Sequence, residues 1–260
     1  MNIIVCIKQV PDTTEVRLDP KTGTLIRDGV PSIMNPDDKA GLEEALRLRE
    51  VSGGSVTVLS MGPPQADRMM REALAMGADR AVLLNDRAFA GADTLATSST
   101  LAAAIRKIPY DLVITGRQAI DGDTAQVGPQ IAEHLDIPNI SYAEAVTPEE
   151  GGIVVKRQFE DRYQLQRAKF PCLITALSEL AEPRYMTPGK IFEAFLQKEV
   201  EIWTAADLEI DPAVLGLKGS PTKVKKSFAK ATKPAGVVVK LEGKEAADAI
   251  VAKLKETYML

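Results

Sequence analysis

Histidine is nearly absent: His134 is the only one in the chain. A histidine-rich metal site is therefore excluded, and any Ser-His-Asp triad would have to run through that one residue. Cysteine is almost as scarce. Cys6 and Cys172 lie far apart inside apolar runs, which predicts buried thiols in a reducing compartment. There is no CxxC, HExxH, P-loop or GxGxxG, and no serine or cysteine sits in an elbow motif. Hydrolase and metalloenzyme readings find no support, and no catalytic residue or metal ligand is assigned. No apolar run approaches the roughly 18 residues of a membrane-spanning helix. Met1 leads directly into Asn2, Ile3 and Ile4 without a cleavage-site pattern or arginine-rich presequence. Membrane insertion is not expected; a cytoplasmic location is.

What is present is an ordinary globular composition, 45% hydrophobic and 26% charged over 260 residues, enough for one large domain or a domain with an appendage. A net charge of −4 argues against nucleic acid as a partner. The charge is uneven, however. Residues Lys218 to Leu260 carry ten lysines and four acids, a net +6, which leaves −10 for the rest. Gly219 to Gly236 has few apolar residues and no period, so it is either a solvated linker or an extended basic arm lying on an acidic partner. Beyond it, Gly243 to Tyr258 recovers a helical pattern, with Ala246, Ile250, Val251 and Leu254 on one face.

Upstream, strands alternate with helices. Ile3 to Ile7 is a continuous apolar run, as in a central parallel strand covered on both faces. Thr14–Leu18 and Thr24–Arg27 flank a turn signal and predict a small hairpin. Asn35-Pro36-Asp37-Asp38 opens a helix, with Asn35 as cap, proline at the first position and acids at the positive dipole end; Gly53 and Gly54 stop it. Strands are predicted at Ser55–Ser60, Arg80–Leu84 and Asp111–Thr115. Helices are predicted at Gln65–Met76, at Asp93–Lys107 with Asp93-Thr94 capping, and at Thr124–Leu135. A hairpin from Ile153 to Lys169 and a strand at Cys172–Leu177 follow. Strands joined by helices at this spacing mean βαβ units. The expected fold is α/β: a doubly wound, Rossmann-like parallel sheet with a hairpin addition and an extended C-terminal arm.

Such sheets bind ligands beyond the carboxyl ends of their strands, where strand order reverses. That points to the loops after Ile7, Ser60, Leu84 and Thr115. The last of these, Gly116-Arg117-Gln118-Ala119-Ile120-Asp121-Gly122-Asp123-Thr124-Ala125-Gln126-Val127, is long and polar and delivers the chain to a helix N-terminus. Gly116 and Gly122 would let backbone approach a ligand, and free amides around Thr124 to Val127 would hold phosphate. Thr124 and Gln126 add neutral hydrogen bonds, and Arg117 adds charge. Asp121 and Asp123 suit a ribose hydroxyl or a helix cap. A merely capped loop remains the alternative. Asp93 is either a plain N-cap or part of a second ligand loop in which Thr94 and Thr97 present hydroxyls to a heterocycle. Asn35 and Met61 have the same two readings. His134, near a helix end, is expected to balance the dipole at the surface.

Several segments carry a family resemblance: Ile4 to Asp12, Met34 to Asp38, Ala73 to Arg80 and Gly116 to Asp121, then Lys156-Arg157 with Glu160-Asp161, Pro171 to Thr175, and Glu182 to Tyr185. In order and without large gaps to about residue 220, they resemble the beta subunit of electron-transfer flavoproteins. The resemblance implies an alpha-subunit partner that carries the electron-transferring FAD. In the housekeeping class the beta subunit holds AMP; in the electron-bifurcating class it holds a second FAD that accepts a hydride from NADH. Electrons then pass to an acyl-CoA dehydrogenase and to ferredoxin or flavodoxin. Ligand contacts carried over by motif fall at Cys6, Asn35, Met61 and Gly116 to Val127, with Asp93, Thr94 and Thr97 lining a flavin ring. Asp121-Gly122-Asp123 looks like the bifurcating class, since AMP-binding members typically carry a bulkier, more acidic version. Residues 1–190 would form the nucleotide-binding domain, and 191–260 a partner-recognition segment and arm with a terminal helix. Arg184, Tyr185, Met186, Thr187 and Pro188 resemble the partner-docking loop, although Pro188 stands where many members have leucine.

Overall fold

The computed structural model describes residues 1–12, 17–18, 25–26, 31–222, 236 and 238–259. The chain divides into two compact units, Met1–Lys225 and Lys226–Leu260. In the first, β1 (Asn2–Cys6), β2 (Gln9–Pro11), β3 (Arg17–Leu18), β4 (Leu25–Ile26) and β5 (Ser32–Met34) precede α1 (Pro36–Ser52). Next come β6 (Ser55–Met61), α2 (Asp67–Met76), β7 (Arg80–Leu84), α3 (Thr94–Ile105), β8 (Leu112–Gly116) and α4 (Val127–Leu135). β9 (Asn139–Glu149), β10 (Gly152–Gln158), β11 (Tyr163–Lys169), β12 (Cys172–Ala176), α5 (Pro188–Leu196), β13 (Glu201–Trp203) and the short α6 (Gly216–Gly219) complete it. The second unit contains α7 (Gly243–Glu256), whose Ile250 and Val251 are exposed.

Nine strands form one sheet in the order β11-β10-β9-β12-β8-β1-β6-β7-β13. The seven from β9 to β13 run parallel, and β10 and β11 add an antiparallel ribbon at one edge. This is the expected α/β architecture with its hairpin addition. β1 is covered on both faces: Ile3 and Val5 pack with Leu42 and Leu46 of α1 and Met70 of α2. Ile4 and Cys6 pack with Leu101 and Ile105 of α3 and Ile131 of α4. Each such side chain contributes about 1.5–3 kcal/mol when fully buried. Chain order reverses at β1: the chain returns through α1 to β6 on one side, and through α3 to β8 on the other. The carboxyl ends of β1 and β8 therefore border the ligand crevice of such a sheet.

Several elements differ from expectation. α4 starts at Val127 rather than Thr124 because Asp123 (φ 50°) and Ala125 (φ 52°) adopt left-handed backbone that a helix cannot incorporate. β9 was not predicted. Its burial does not alternate, and Tyr142 at φ 62° breaks it with a shift of register against β12. α5 and β13 were also unpredicted. β13 joins the sheet beside β7, so the first compact unit extends past residue 190 to Lys225. The paired β3 and β4 match the small predicted hairpin; its turn at 19–24, and residues 223–235 of the basic stretch, lie outside the described residues.

Candidate functional site

Asp38 ties the crevice together. One carboxylate oxygen accepts from the Lys8 amide just past β1 (2.7 Å), and the other from the Gly116 amide ending β8 (2.9 Å). Burial pushes this carboxyl up to about 7, although the Asn35 side chain and the two amides pull the other way. Beside it lies Cys6, the last residue of β1, whose thiol burial raises to about 12. Both cysteines are free and buried. Asp38 was read from sequence only as a dipole-compensating acid. The overlooked signal is its place on the buried stripe of α1, one and two turns ahead of Leu42 and Ala45.

Asn35 does not cap α1 with its side chain. Its Nδ2 donates to the Gln118 carbonyl (2.9 Å), and its Oδ1 accepts from the Ile120 amide (3.1 Å), which pins the loop after β8. Gly116 also serves the protein rather than a ligand: a Cβ there would overlap Asp38 Oδ1 and crowd Asp37 Cβ at 2.9 Å. A Cβ on Gly122, by contrast, would meet nothing within 4 Å, so no neighbour in the chain requires glycine there.

The loop's charges are largely matched. Lys8 Nζ holds Asp121 at 2.7 and 2.9 Å, and Gln118 Nε2 donates to Asp123 at 2.9 Å. Arg117 lies 3.6 Å from Asp37, whose carboxyl burial raises and Arg117 lowers. Ala119 carries a turn by accepting from the Gly122 and Asp123 amides. Among the described residues, the amides of Thr124, Ala125, Gln126, Val127 and Gly128 find no protein acceptor. Left-handed backbone at Ala125 followed by right-handed backbone at Gln126, leading into a helix N-terminus, is the kind of conformation in which successive amides can form an anion-binding nest.

Thr94 Oγ1 donates to Gln126 Oε1 (2.9 Å), which joins the N-termini of α3 and α4. Asp93 is spent on structure: it caps the Ala96 amide and accepts from the amide and hydroxyl of Thr222. The Thr97 hydroxyl makes no hydrogen bond to protein among the described residues. Met61, half-buried, ends β6 on the same rim. His134 stands in the last turn of α4, as expected, but it is engaged by protein rather than free at the surface. It meets Ser98 and Ser99 of α3 at 3.1 and 3.2 Å, and burial and Arg106 hold its pKa below the usual value.

In the segment before α5, Arg184 is committed to Glu43 (2.8 Å) and Glu50 (2.5 Å) of α1, and Met186 packs on the core. Thr187 caps α5 and Pro188 takes its first position, where a missing amide costs nothing. Tyr185 is 98% exposed, and α5 also exposes Phe192, Phe195 and Leu196, residues not singled out from sequence.

A family model, the electron transfer flavoprotein domain, matches residues 22–208. The chain belongs to the electron transfer flavoprotein family. It is 61% identical to the electron transfer flavoprotein subunit beta of Clostridium acetobutylicum, over the whole of both chains. It is 51% identical to the caffeyl-CoA reductase-Etf complex subunit CarD of Acetobacterium woodii, again over both full lengths. Acryloyl-CoA reductase electron transfer subunit gamma of Anaerotignum propionicum is 44% identical, with both chains fully covered. The family resemblance carried by the sequence motifs is thus borne out. No helix among the described residues is long and apolar enough to cross a membrane.

Proposed function

We propose that this chain is the FAD-binding beta subunit of a bifurcating electron transfer flavoprotein, working in the cytoplasm with an alpha subunit. The observation that carries it is the run of five unpaired amides, Thr124 to Gly128, at the switch point of the sheet. Such a cradle fits a pyrophosphate, and Lys8 offsets the Asp121 charge that would repel one. When bound, FAD supplies hydride acceptance from NADH and division of the electrons between the alpha-subunit flavin, which serves an acyl-CoA dehydrogenase, and ferredoxin or flavodoxin. The chain's own residues bind and orient. The amides hold phosphate, Asn35 fixes the loop, and Thr94 and Gln126 set the spacing between α3 and α4. The Thr97 hydroxyl is available to the ring. The relatives named for caffeyl-CoA and acryloyl-CoA reductases support a partner that acts on acyl-CoA.

One observation favours AMP instead: Asp93 and Thr94 are already engaged with protein, which leaves fewer groups for a flavin ring. Mass spectrometry of the denatured alpha/beta complex decides between them. Two FAD per heterodimer are expected; one FAD with one AMP overturns the bifurcating reading.

A further inference from the structure

The ribbon formed by β9, β10 and β11, with the turn between the last two, carries five cations, and three have carboxylates of their own. Lys156 meets Glu144 at 2.5 Å, Arg162 meets Asp161 at 3.5 Å and Arg167 meets Glu149 at 2.7 Å. Arg157 and Lys169 have none among the described residues; Lys169 lies at the far end of β11, opposite Gly152, whereas the Arg157 Nε is buried without a hydrogen-bond partner. Two rings hold its guanidinium: Phe159 at 4.7 Å and Tyr142 at 5.9 Å from the ring centroids. The backbone is bent at both contributors. Tyr142 has φ 62°, and the β9–β10 register shifts between Lys156 and Arg157. Bulges of this kind re-aim a side chain out of the regular ladder. The Tyr142 amide donates to Thr175 Oγ1 near the carboxyl end of β12, so this arginine stands on the same rim as the loop after β8.

We propose that Arg157 is a docking arginine, a guanidinium held flat by its two rings to pair with a carboxylate on the protein that this chain binds. The proposal rests on the reading of the chain as a subunit. A planar fork stacked on aromatic rings is suited to bidentate carboxylate recognition. Arginine and aromatic residues are also the side chains on which protein interfaces most depend. A phosphate reader would be expected to gather amides or further free cations, and those amides lie instead at Thr124 to Gly128.

The test uses the full-length chain and its alpha subunit with Arg157→Met, which keeps an apolar stem over Phe159, and Arg157→Lys. Arg157→Met should weaken subunit affinity about tenfold or more and flatten its salt dependence, with Arg157→Lys intermediate. The melting temperature of the unpaired full chain should stay level or rise, because an unpaired buried donor has gone. Unchanged subunit affinity overturns the proposal, as does a lower melting temperature of the unpaired chain, which would make the arginine internal to the fold. Loss of FAD with unchanged subunit affinity assigns it to phosphate and overturns the docking role. A wild-type chain that fails to pair at all removes the subunit reading itself, a failure visible without any variant.

Discussion

The loop after β8 and the ribbon around Arg157 share one rim of the sheet and leave opposite groups unpaired. In the loop, each charged side chain faces a partner within the chain, although Arg117 Nε reaches Asp37 only as an ion pair at 3.6 Å, and among the described residues the backbone from Thr124 to Gly128 is left without acceptors. In the ribbon, the backbone is laddered into neighbouring strands, and the buried Nε of Arg157 is left without a partner. Main-chain amides suit a ligand whose charge is spread over phosphate oxygens, and they leave side chains free to stiffen the loop. A lone fork suits a single carboxylate presented by a surface. The same rim can thus hold a small molecule at one place and a protein at another without the two sites competing for groups.

The sharpest way to break the loop is at Gly116. Gly116→Ala forces a methyl group into Asp38 Oδ1, so the Asp38 carboxyl, which holds the Gly116 amide through Oδ1 and the Lys8 amide through Oδ2, must shift off them while remaining buried. Displacing a buried carboxylate from its partners, added to overpacking, should cost about 5 kcal/mol or more. Urea unfolding measures it. Gly122→Ala is the control, with no change expected because its Cβ meets open space.

Asp38 sharpens the comparison through pH. Its folded pKa, about 7, lies above its ordinary value of 3.8. Between those limits the folded chain keeps a proton that the unfolded chain has lost. The stabilising contribution is therefore complete below about pH 4 and disappears as pH rises toward about 7. The loss is on the order of 4 kcal/mol across the window. Asp38→Asn, which cannot titrate, should remove that slope in denaturation curves taken from pH 4 to 8. An unchanged slope would assign the titration to another group.

Much of this organisation was legible in the sequence because it is local. Gly53 and Gly77 end α1 and α2, and Asp93 caps α3 through its own side chain as its place before Thr94 predicts. The long polar loop after β8 was found for the same reason. What escaped depends on partners distant in sequence. Asn35 has the right type and place for a cap, yet it bonds residues 118 and 120 because the loop packs onto the helix start. β13 is only three residues long and is a strand because β7 offers an open edge. β9 contains Pro148 and a left-handed Tyr142, neither of which a strand pattern anticipates.

Gly122→Asp probes ligand rather than fold. The new side chain has room, so stability should hold, but its charge would stand beside the phosphate cradle. Losing one charge-assisted hydrogen bond is worth about 1.5–3 kcal/mol, so FAD affinity should fall roughly tenfold to a hundredfold. Titration of the flavin-free complex, followed by flavin fluorescence, reads the change. Equal affinity would move the pyrophosphate away from this loop.

The smallest effect is expected at Thr94, and it separates positioning from contact. Its hydroxyl donates to Gln126 at 2.9 Å across the α3–α4 seam, and both residues are accessible to solvent. Thr94→Val keeps the shape and the β-branched fit while removing that tether. A neutral hydrogen bond contributes about 0.5–1.5 kcal/mol, so stability should drop by no more than about 1 kcal/mol. Gln126 is the residue before Val127, and freeing it would loosen the amides proposed to hold phosphate. FAD affinity should therefore fall severalfold, in proportion to the tether rather than to a direct contact. Thr97→Val distinguishes the two, since the Thr97 hydroxyl has no partner within the chain among the described residues. If Thr97→Val shifts the flavin absorbance spectrum while Thr94→Val changes only affinity, Thr97 faces the ring and Thr94 holds the frame. If both spectra match wild type, the ring does not lie along α3, and Thr94 is a fastening between two helices and nothing more.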